Sequence, residues 1–342
     1  MERRQLGRTG VRVPVLGFGG IPIRDCTPAE AERVVGAAVD AGIEFFDTAR
    51  GYGDSEEKLG RATRGRRDSL FLATKTPERE KAEAARDVEA SLRCLDTGYI
   101  DLYQLHQVDT LEALHQVMGE AGALSALQEA RRQGKIRYIG ITGHNPAVLG
   151  EALRSGIFDT VQVPVNVLDR FIFRPEQELL PLAVACRAGV IAMKPLAGGV
   201  LKEASLALRY VLSQEVAVAI PGMRTEEEVR QNVAVARSFS PLTEEELDRL
   251  IGEAVALGTR VCRQCGYCLP CPQGIEIREV FRLEGMFDRY EQKEAARLLY
   301  AGLAVPPASC VECGQCESRC PYRLPIRDKL KAAAGKLEGV TT

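Results

Sequence analysis

The sequence predicts an α/β protein in which a (β/α)8 barrel precedes a small, mostly α-helical domain. Three observations support this prediction. Short apolar runs alternate eight times with helical patterns over the first two thirds of the 342 residues. Three of these runs end in a polar residue, as strands do where they reach the mouth of a barrel. Eight of the 11 cysteines lie after residue 261, in two tight groups.

The first half of the chain begins with a predicted hairpin over residues 3–18, which turns at Thr9-Gly10 and leads into a first strand near Val15. Proline in a first turn and glycine after a last turn mark helix bounds. Residues 107–123 predict a longer loop with one helical turn. The remaining elements are strands over residues 45–47, 70–74 and 99–105, and helices over residues 28–41, 55–63, 81–95 and 124–133.

The second half repeats the same unit. Strands are predicted over residues 136–142, 160–165, 190–194 and 217–220, and helices over residues 146–154, 179–188, 204–213 and 225–237. Eight strand–helix pairs in about 240 residues match the size of one (β/α)8 barrel. A doubly wound sheet also alternates in this way, but it rarely uses eight such short, even units. A further helix over residues 244–257 ends the first domain, so we predict domains at residues 1–257 and 258–342.

Composition and charge narrow the class of protein. A net charge of -2, with 45% hydrophobic and 27% charged residues, is ordinary for a globular protein and gives no general attraction to nucleic acid. No apolar run reaches the roughly 18 residues that a membrane span needs. The first ten residues lack the apolar region of a secretory signal, so we predict a cytoplasmic protein.

Four polar side chains are expected at the barrel mouth. Asp47 ends one predicted strand, Lys75 and His106 directly follow two others, and Tyr52 lies on the loop after Asp47. The carboxyl ends of barrel strands share one face, so these residues should converge. An unperturbed tyrosine has a pKa near 10, and a nearby ammonium lowers it by favouring the phenolate. Such a set is suited to protonating an oxygen that becomes an alkoxide, as when hydride adds to an aldehyde or ketone.

The stretches that carry these residues resemble the signatures of the aldo-keto reductase family. They are residues 46–53 (FDTARGYG), 73–75 (ATK) and 101–106 (DLYQLH), and the likeness extends over roughly residues 3–240. The resemblance implies an NAD(P)H-dependent oxidoreductase in which Tyr52 is the general acid and Lys75 tunes it. It also implies that Asp47 pairs with Lys75 and that His106 orients the substrate carbonyl.

The same resemblance implies a nicotinamide cofactor that lies extended across the barrel mouth, without a separate dinucleotide-binding domain. Gln162 matches the glutamine that binds the carboxamide. Gly143 replaces the family's asparagine, so Asn145 or His144 is expected to substitute for it. Met193 stands where an aromatic residue usually stacks on the nicotinamide ring. The other implied cofactor contacts are Gly20, Thr142, Lys194, Pro195, Leu196, Gly198, Gly222, Arg224, Glu228, Gln231 and Asn232.

The choice between NADP and NAD stays open. A 2′-phosphate calls for basic partners. Family members that prefer NADP usually carry lysine or arginine where this chain has Gly222 and Glu228, and Arg224 is the main basic candidate left. Gln231 and Asn232 match the adenine-contacting end of the motif.

The cysteine-rich segment predicts two [4Fe-4S] clusters. Its two groups, each ending in Cys-Pro, are Cys262, Cys265, Cys268 and Cys271, then Cys310, Cys313, Cys316 and Cys320. In such runs three cysteines bind one cluster, and the cysteine before proline binds the other. The predicted ligand sets are therefore Cys262, Cys265 and Cys268 with Cys320, and Cys310, Cys313 and Cys316 with Cys271. Zinc sites and disulfides are alternatives that this pattern disfavours. The helical pattern within residues 276–303 resembles that of α-helical ferredoxins.

Three hypotheses about function follow. In the first, the chain is a carbonyl reductase or alcohol dehydrogenase whose clusters pass electrons to or from a redox protein partner. In the second, the same reductase carries clusters that are structural or that sense redox state. In the third, a non-catalytic electron-transfer subunit uses the barrel only to bind nucleotide. The presence of all four polar residues at the barrel mouth argues against this third hypothesis. Because barrel specificity comes from loops, residues 107–123 and 166–178 are expected to contact a small carbonyl or alcohol substrate.

Overall fold

The computed structural model describes residues 1–258, 261–288 and 292–338. It divides into two compact units, the first made of Met1–Ala197 with Glu203–Ala254 and the second of Gly198–Lys202 with Val255–Thr342. Within the described ranges, no helix has the length and apolar character that crossing a bilayer would require. The domain boundary predicted between residues 257 and 258 stays a prediction.

The first unit opens with the hairpin that the sequence predicted. Strand β1 (Arg3–Gln5) pairs antiparallel with β2 (Arg12–Pro14), and Gly10 provides the left-handed backbone of the turn at φ +74°. Val15, near which the first barrel strand was predicted, donates its N–H to the Glu2 carbonyl oxygen at 3.0 Å and accepts from the Ala219 N–H at 2.8 Å. It therefore joins the hairpin to the barrel.

Eight parallel strands follow, paired in chain order. Leu16 pairs with Ala219 and Gly19 with Gly222, which joins the first strand to the last and closes the barrel. The predicted (β/α)8 barrel is thus confirmed. The strands are β3 (Phe18–Gly19), β4 (Phe45–Asp47), β5 (Phe71–Thr76), β6 (Ile100–Leu105), β7 (Ile136–Thr142), β8 (Thr160–Pro164), β9 (Gly189–Met193) and β10 (Val218–Ile220).

Helices connect the strands and surround them. They are α1 (Pro28–Asp40), α2 (Ser55–Ala62), α3 (Lys81–Cys94), α4 (Leu111–Met118), α5 (Ala123–Arg132), α6 (Pro146–Arg154), α7 (Pro175–Ala185), α8 (Ala204–Leu212), α9 (Glu226–Arg237) and α10 (Glu244–Leu257). Two predictions were incomplete. The predicted loop 107–123 contains all of α4, and α7 begins at Pro175 rather than at residue 179.

The barrel interior changes from apolar to polar along the strands. Phe45 and Phe71 stack at 5.1 Å between ring centroids and belong to an apolar cluster with Leu6 and Val13 of the hairpin region. Two residues along β4 comes Asp47, on the same side of the strand as Phe45. Apolar packing thus fills one end of the barrel, and the polar side chains collect at the other.

The second unit is mostly helical, as predicted. Its helices are α11 (Ile277–Asp288), α12 (Lys293–Ala301), α13 (Gln315–Ser318) and α14 (Ile326–Leu337). Helices α11 and α12 lie in the segment 276–303 where the sequence shows a helical pattern. Buried side chains such as Phe281, Leu283 and Leu330 give this unit an apolar core of its own.

Candidate active site

Asp47 and Lys75 form a buried ion pair at the ends of two neighbouring strands. Lys75 Nζ lies 2.6 Å from Asp47 Oδ1 and donates to the Thr48 carbonyl oxygen at 2.7 Å. Both side chains are at most 3% exposed. Burial raises the pKa of Asp47 and lowers the pKa of Lys75, and the attraction between the two opposes both shifts. The pair places one fixed ammonium at the barrel mouth.

Tyr52 and His106 lie beside this pair. Lys75 Nζ is 4.9 Å from the centroid of the Tyr52 ring, and the His106 ring meets that ring edge-on, 5.7 Å away at 82°. Tyr52 is 6% and His106 is 3% exposed. The structure therefore brings together the four polar residues that the sequence predicted at the mouth.

His106 is held in its neutral form. Burial lowers the pKa of His106 well below its usual range, and the charges of Lys75 and Arg79 act in the same direction. Arg79 also fixes the loop, donating to the carbonyl oxygen of His106 at 2.8 Å. A neutral imidazole has one N–H to donate to a carbonyl oxygen.

Two buried glutamines complete the hydrogen bonds of Asp47. Gln104 Nε2 is 3.2 Å from Asp47 Oδ2, and Gln162 Nε2 is 3.5 Å from Asp47 Oδ1. The sequence analysis singled out Gln162 but missed Gln104, although a glutamine inside an apolar strand is a usable signal. The amide oxygens of both side chains are buried without a hydrogen-bond partner among the described residues. They are acceptors that a ligand carboxamide can satisfy, which fits a nicotinamide.

Gly143 is a glycine because a neighbouring loop fills the space of a side chain. A Cβ there would lie 2.7 Å from the Val108 carbonyl oxygen and 2.8 Å from Asp109 Oδ1. Asn145 is occupied at the start of α6, accepting from the Ala147 N–H at 3.1 Å and donating to the Asp109 carbonyl oxygen at 3.2 Å. Its amide is therefore committed to the fold rather than offered to a cofactor.

The end of β9 lies next to Gln162. Met193 Sδ is 3.8 Å from Gln162 Nε2, and Met193 is 7% exposed. Lys194 follows it, with Nζ 2.6 Å from His144 Nε2. Thr142, at the end of β7, is 2% exposed. Of the next predicted contacts, Pro195 is buried and Leu196 is half-buried.

Two of the predicted cofactor-binding glycines are required by close backbone packing. A Cβ on Gly20 would lie 2.7 Å from the Asp47 carbonyl oxygen, and one on Gly222 would lie 2.7 Å from Pro22 Cγ. The Gly20 N–H also donates to the Asp47 carbonyl oxygen at 2.7 Å. These contacts hold the loop after β3 against the ends of β4 and β10. The two glycines therefore have a structural role that does not depend on cofactor binding.

The start of α9 is strongly acidic. Thr225 and Glu228 form the predicted capping box, and Glu228 Oε2 also accepts from the Arg224 N–H at 2.5 Å. Three glutamates, at positions 226–228, occupy the first turn. Arg224 is exposed and donates to the Asp25 carbonyl oxygen at 3.4 Å. Further along, Gln231 bonds Glu227 at 2.8 Å and Asn232 is 7% exposed.

The second unit contains two separate cavities bordered by cysteines. One is bordered by Cys262, Cys265, Cys268 and Cys320, and the other by Cys271, Cys310, Cys313 and Cys316. The grouping matches the two ligand sets predicted from the sequence, in which each set combines three cysteines of one run with the last cysteine of the other.

The cysteine pattern around the cavities favours clusters over single ions. A zinc site needs four sulfurs around one ion at about 2.3 Å, whereas runs that end in Cys-Pro and exchange their last cysteine are typical of two [4Fe-4S] clusters. All 11 cysteines are free thiols, so none is in a disulfide. Burial, followed by the proximity of other thiols, raises the pKa of Cys262 and of Cys268 to about 12. Thiolates in these positions therefore need a cationic group, such as the irons of a cluster, to compensate their charge.

Gly198, another predicted cofactor contact, has a structural role in the second unit. Its φ is +76°, and a Cβ there would lie 2.4 Å from the Arg263 carbonyl oxygen. Arg263 is 2% exposed and borders the first cysteine cavity. A side chain at position 198 would displace the backbone next to Cys262.

Comparison with known protein families gives two matches. The model of the aldo/keto reductase family matches residues 15–206. The model of the 4Fe-4S dicluster domain matches residues 261–324, which include all eight cavity cysteines. The two matches correspond to the barrel and to the cysteine-rich part of the chain.

Individual relatives align with this chain over most of their own length. The uncharacterized oxidoreductase YrpG of Bacillus subtilis is 30% identical over 303 residues, or 68% of this chain and 90% of that protein. L-galactose dehydrogenase of Arabidopsis thaliana is 29% identical over 294 residues, or 71% of this chain and 90% of that protein.

Solved structures give the same result. The holo form of aldo-keto reductase AKR11C1 from Bacillus halodurans is similar with a TM-score of 0.65 at 30% identity, covering 75% of this chain and 96% of that one. An aldo-keto reductase from Klebsiella pneumoniae in complex with NADPH has a TM-score of 0.63 at 27% identity, covering 73% and 94%.

Proposed function

The chain belongs to the aldo/keto reductase family, and we propose that it uses NADPH or NADH to reduce a small aldehyde or ketone to an alcohol, or catalyses the reverse reaction. The observation that carries this proposal is the buried cluster of Tyr52, Lys75, Asp47 and His106. In it, a phenol lies between a fixed ammonium and a neutral imidazole.

In carbonyl reduction, each of the four residues has a separate role. A bound reduced nicotinamide supplies the hydride. Tyr52 donates its hydroxyl proton to the carbonyl oxygen as negative charge develops there. Lys75, 4.9 Å from the ring centroid, stabilises the phenolate that remains, and Asp47 keeps that ammonium in position. His106 donates one N–H to the carbonyl oxygen and orients it.

Further residues of the chain fit the nicotinamide. Gln162 and Gln104 offer unsatisfied amide oxygens next to Asp47. Met193 provides an apolar thioether beside Gln162, on which a ring can pack. The structure of a relative with NADPH supports a nicotinamide dinucleotide as the cofactor. We propose that the cofactor is NADP or NAD, with its adenosine end toward Arg224 and α9.

We also propose that the second unit holds two [4Fe-4S] clusters, which carry electrons one at a time to or from a redox protein partner. A nicotinamide hydride carries two electrons and leaves a proton, whereas each cluster accepts one electron, so this transfer also needs a mediator that splits the pair, such as a flavin supplied by the partner. Clusters that only stabilise the fold or sense redox state are the second candidate, because the unit is small and thiolate–metal bonds contribute to folding.

We expect Tyr52→Phe to lower kcat/KM for NAD(P)H-dependent reduction by at least a hundredfold, because general acid catalysis contributes about 10²- to 10⁴-fold. Nicotinamide oxidation is followed with a panel of aldehydes and ketones under anaerobic conditions. Tyr99→Phe, which changes a tyrosine at the opposite end of the barrel, is the matched control and should retain full activity.

The same anaerobic mixing includes a second readout, the electron paramagnetic resonance signal of reduced clusters. A signal that NADH or NADPH produces without a carbonyl supports electron transfer, whereas a signal that only dithionite produces supports structural clusters. Unchanged carbonyl reduction by Tyr52→Phe would contradict the proposed reductase.

A further inference from the structure

We propose that Arg50 is a positioning residue for carbonyl reduction: it fixes the loop that carries Tyr52, so that the phenol stays in place beside Lys75. Two carboxylates, Glu56 on α2 and Asp87 on α3, hold its guanidinium in turn. This inference rests on the proposed reductase function and adds three charged residues to the machinery of the same site. Its basis is a network of hydrogen bonds on the outer side of β5.

The network follows from the alternation of side chains along β5. Lys75 points into the barrel mouth, so its neighbours Thr74 and Thr76 point to the opposite, outer side of the strand. The Thr74 hydroxyl donates to Glu56 Oε1 at 2.6 Å, and the Thr76 hydroxyl donates to Asp87 Oδ2 at 2.5 Å. The strand that presents the ammonium on one side therefore anchors two carboxylates on the other.

Arg50 joins these two carboxylates. Its Nη1 donates to Glu56 Oε2 at 2.5 Å, and its Nε lies 3.5 Å from Asp87 Oδ1. The Glu56 side chain is only 2% exposed, so its carboxylate depends on protein partners. Burial acts to lower the pKa of Arg50, but the bond to Glu56 and the nearby negative charges outweigh this effect and raise that pKa above its usual range. The guanidinium therefore stays charged and compensates the buried carboxylate.

The network reaches Tyr52 through the backbone. The Arg50 N–H donates to the Lys75 carbonyl oxygen at 3.0 Å, and the Tyr52 N–H donates to the Ala49 carbonyl oxygen at 3.0 Å. Because Tyr52 lies between positions 50 and 56, the bond between Arg50 and Glu56 closes this segment around it. Arg50 thus ties the loop to the strand that carries the catalytic ammonium.

The loop needs such support because Tyr52 stands between two glycines. Gly51 and Gly53 are both exposed, and Gly53 has a left-handed φ of +58°. Among the residues that the structure describes, a Cβ on either glycine would meet no atom within 4 Å. Glycine also allows the widest range of backbone conformations. Neither neighbour of the tyrosine therefore restrains its backbone, which leaves Arg50, two positions away, as a nearby anchor.

Arg50 is expected to act on the rate rather than on binding. Its guanidinium lies on the outer side of β5, away from the barrel interior where the substrate and the nicotinamide are proposed to bind. Displacement of a reacting group by about 1 Å can cost about a hundredfold in rate. Loss of this anchor should therefore lower kcat, while the affinity for cofactor and substrate changes little.

The test compares the wild-type protein with the double variant Arg50→Met and Glu56→Gln. This variant removes both charges, so that no unpaired carboxylate stays buried at position 56. With the aldehyde or ketone of the panel that the wild-type protein reduces fastest, we expect kcat to fall about tenfold to a hundredfold. The KM and the Kd of the cofactor should change by less than about threefold. Arg61→Met with Glu57→Gln, which removes an exposed ion pair of 3.0 Å from the same helix, is the control and should keep kcat unchanged.

Tyr52→Phe distinguishes positioning from a general loss of activity. If Arg50 acts through the Tyr52 hydroxyl, the double variant should change the residual rate of Tyr52→Phe by less than about threefold, because residues that act as a unit are not additive. Equal losses in both backgrounds would overturn the proposal, and so would an unchanged kcat or a loss confined to KM. Arg50→Lys, which keeps a cation next to Glu56, should restore most of kcat.

Circular dichroism and thermal unfolding check that the double variant folds. If it does not, Asp87→Asn takes its place, because this change weakens only the longer contact of 3.5 Å. It should lower kcat about threefold, as expected for a partly exposed ion pair, and should have no effect in Tyr52→Phe. An unchanged kcat for Asp87→Asn would then count against the proposal.

Failure of the proposed function gives a different result. If the wild-type protein reduces no carbonyl compound of the panel, the reductase assignment fails. Hydrogen–deuterium exchange of residues 48–56 then still tests the anchor, because it needs no substrate. Amides in this segment should exchange about tenfold faster in the double variant than in the wild-type protein, and the control variant should match the wild-type rate. Equal exchange in all three proteins would show that Arg50 does not hold the loop.

Discussion

His144 is a residue whose burial links the active site to the acid stability of the fold. The side chain is 2% exposed, and burial lowers its pKa to about 4. Asp109 and Lys194 face its two ring nitrogens, and the charge of Lys194 adds to the lowering, while Asp109 opposes it. In the unfolded chain the pKa returns to about 6.5, so the unfolded state binds a proton there at a higher pH than the folded state does.

We therefore expect His144 to reduce stability as the pH falls from about 6.5 toward 4. Between pH 7.5 and pH 5 the contribution to the free energy of unfolding is about 2 kcal/mol, at 1.36 kcal/mol for each pH unit below 6.5. His144→Gln should lose about that much less stability than the wild-type protein over this interval, as measured by urea unfolding at several pH values.

The matched control is His115→Gln on α4, where the side chain is exposed. It should follow the wild-type pH dependence. If His144→Gln shows the same acid destabilisation as the wild-type protein, the folded state tolerates a charged imidazole at position 144, contrary to the structure.

Individual residues of the candidate active site differ in how well the sequence predicts them. Asp47, Lys75 and His106 were predictable because each ends an apolar run, and a parallel barrel brings strand ends to one face. Asp109 and its contact with His144 were not predictable. Their meeting depends on how the loop after β6 passes over Gly143, and no periodic pattern encodes that path.

At the level of elements, local signals explain both the successes and the errors. Strands such as β5 and β6 are buried along their whole length, as strands of parallel sheets usually are, although each also contains polar residues. Helix α4 was underestimated although Thr110 caps it, accepting from the Ala113 N–H at 3.1 Å. A threonine followed by spaced apolar residues is therefore a usable signal for the start of a helix.

If the cofactor binds as proposed, helix α9 influences the choice between NADP and NAD. Its first turn carries three glutamates, and the proposed site puts the cofactor's adenosine end nearby. A 2′-phosphate there meets negative charge. We expect Glu228→Gln to raise the ratio of kcat/KM for NADPH over NADH about fivefold. One unit charge at about 4 Å in water is worth about 1 kcal/mol.

Glutamine removes the charge but keeps the helix cap, because its amide oxygen can still accept a hydrogen bond from the Thr225 N–H, which lies 3.1 Å from Glu228 Oε2. Glu245→Gln, in the first turn of α10, removes an equal charge from another helix and should leave the ratio unchanged. A ratio that does not move with Glu228→Gln would mean that the ribose end of the cofactor lies away from this turn.

The whole molecule combines a reductase barrel with a 4Fe-4S domain, and both were predictable for different reasons. The barrel was predicted from a repeated pattern, whereas the second domain was predicted from the spacing of eight cysteines. The spacing also predicted the crossed ligand sets, because in two-cluster ferredoxins the cysteine before proline binds the cluster of the other run. The structure groups the cysteines in the same way around two cavities.

Paired cysteine substitutions test these sets in the whole protein. Cys320→Ser with Cys262→Ser removes two ligands from one cavity, so about half of the iron should remain. Cys320→Ser with Cys310→Ser removes one ligand from each cavity, so nearly all of the iron should be lost, although both residues belong to one sequence run.

Cys186→Ser, in the barrel unit, controls for general loss of cysteine and should keep all the iron. Iron and sulfide analysis with electron paramagnetic resonance measures each outcome. If the first pair loses all the iron and the second keeps half, each run binds its own cluster and the crossed arrangement is wrong.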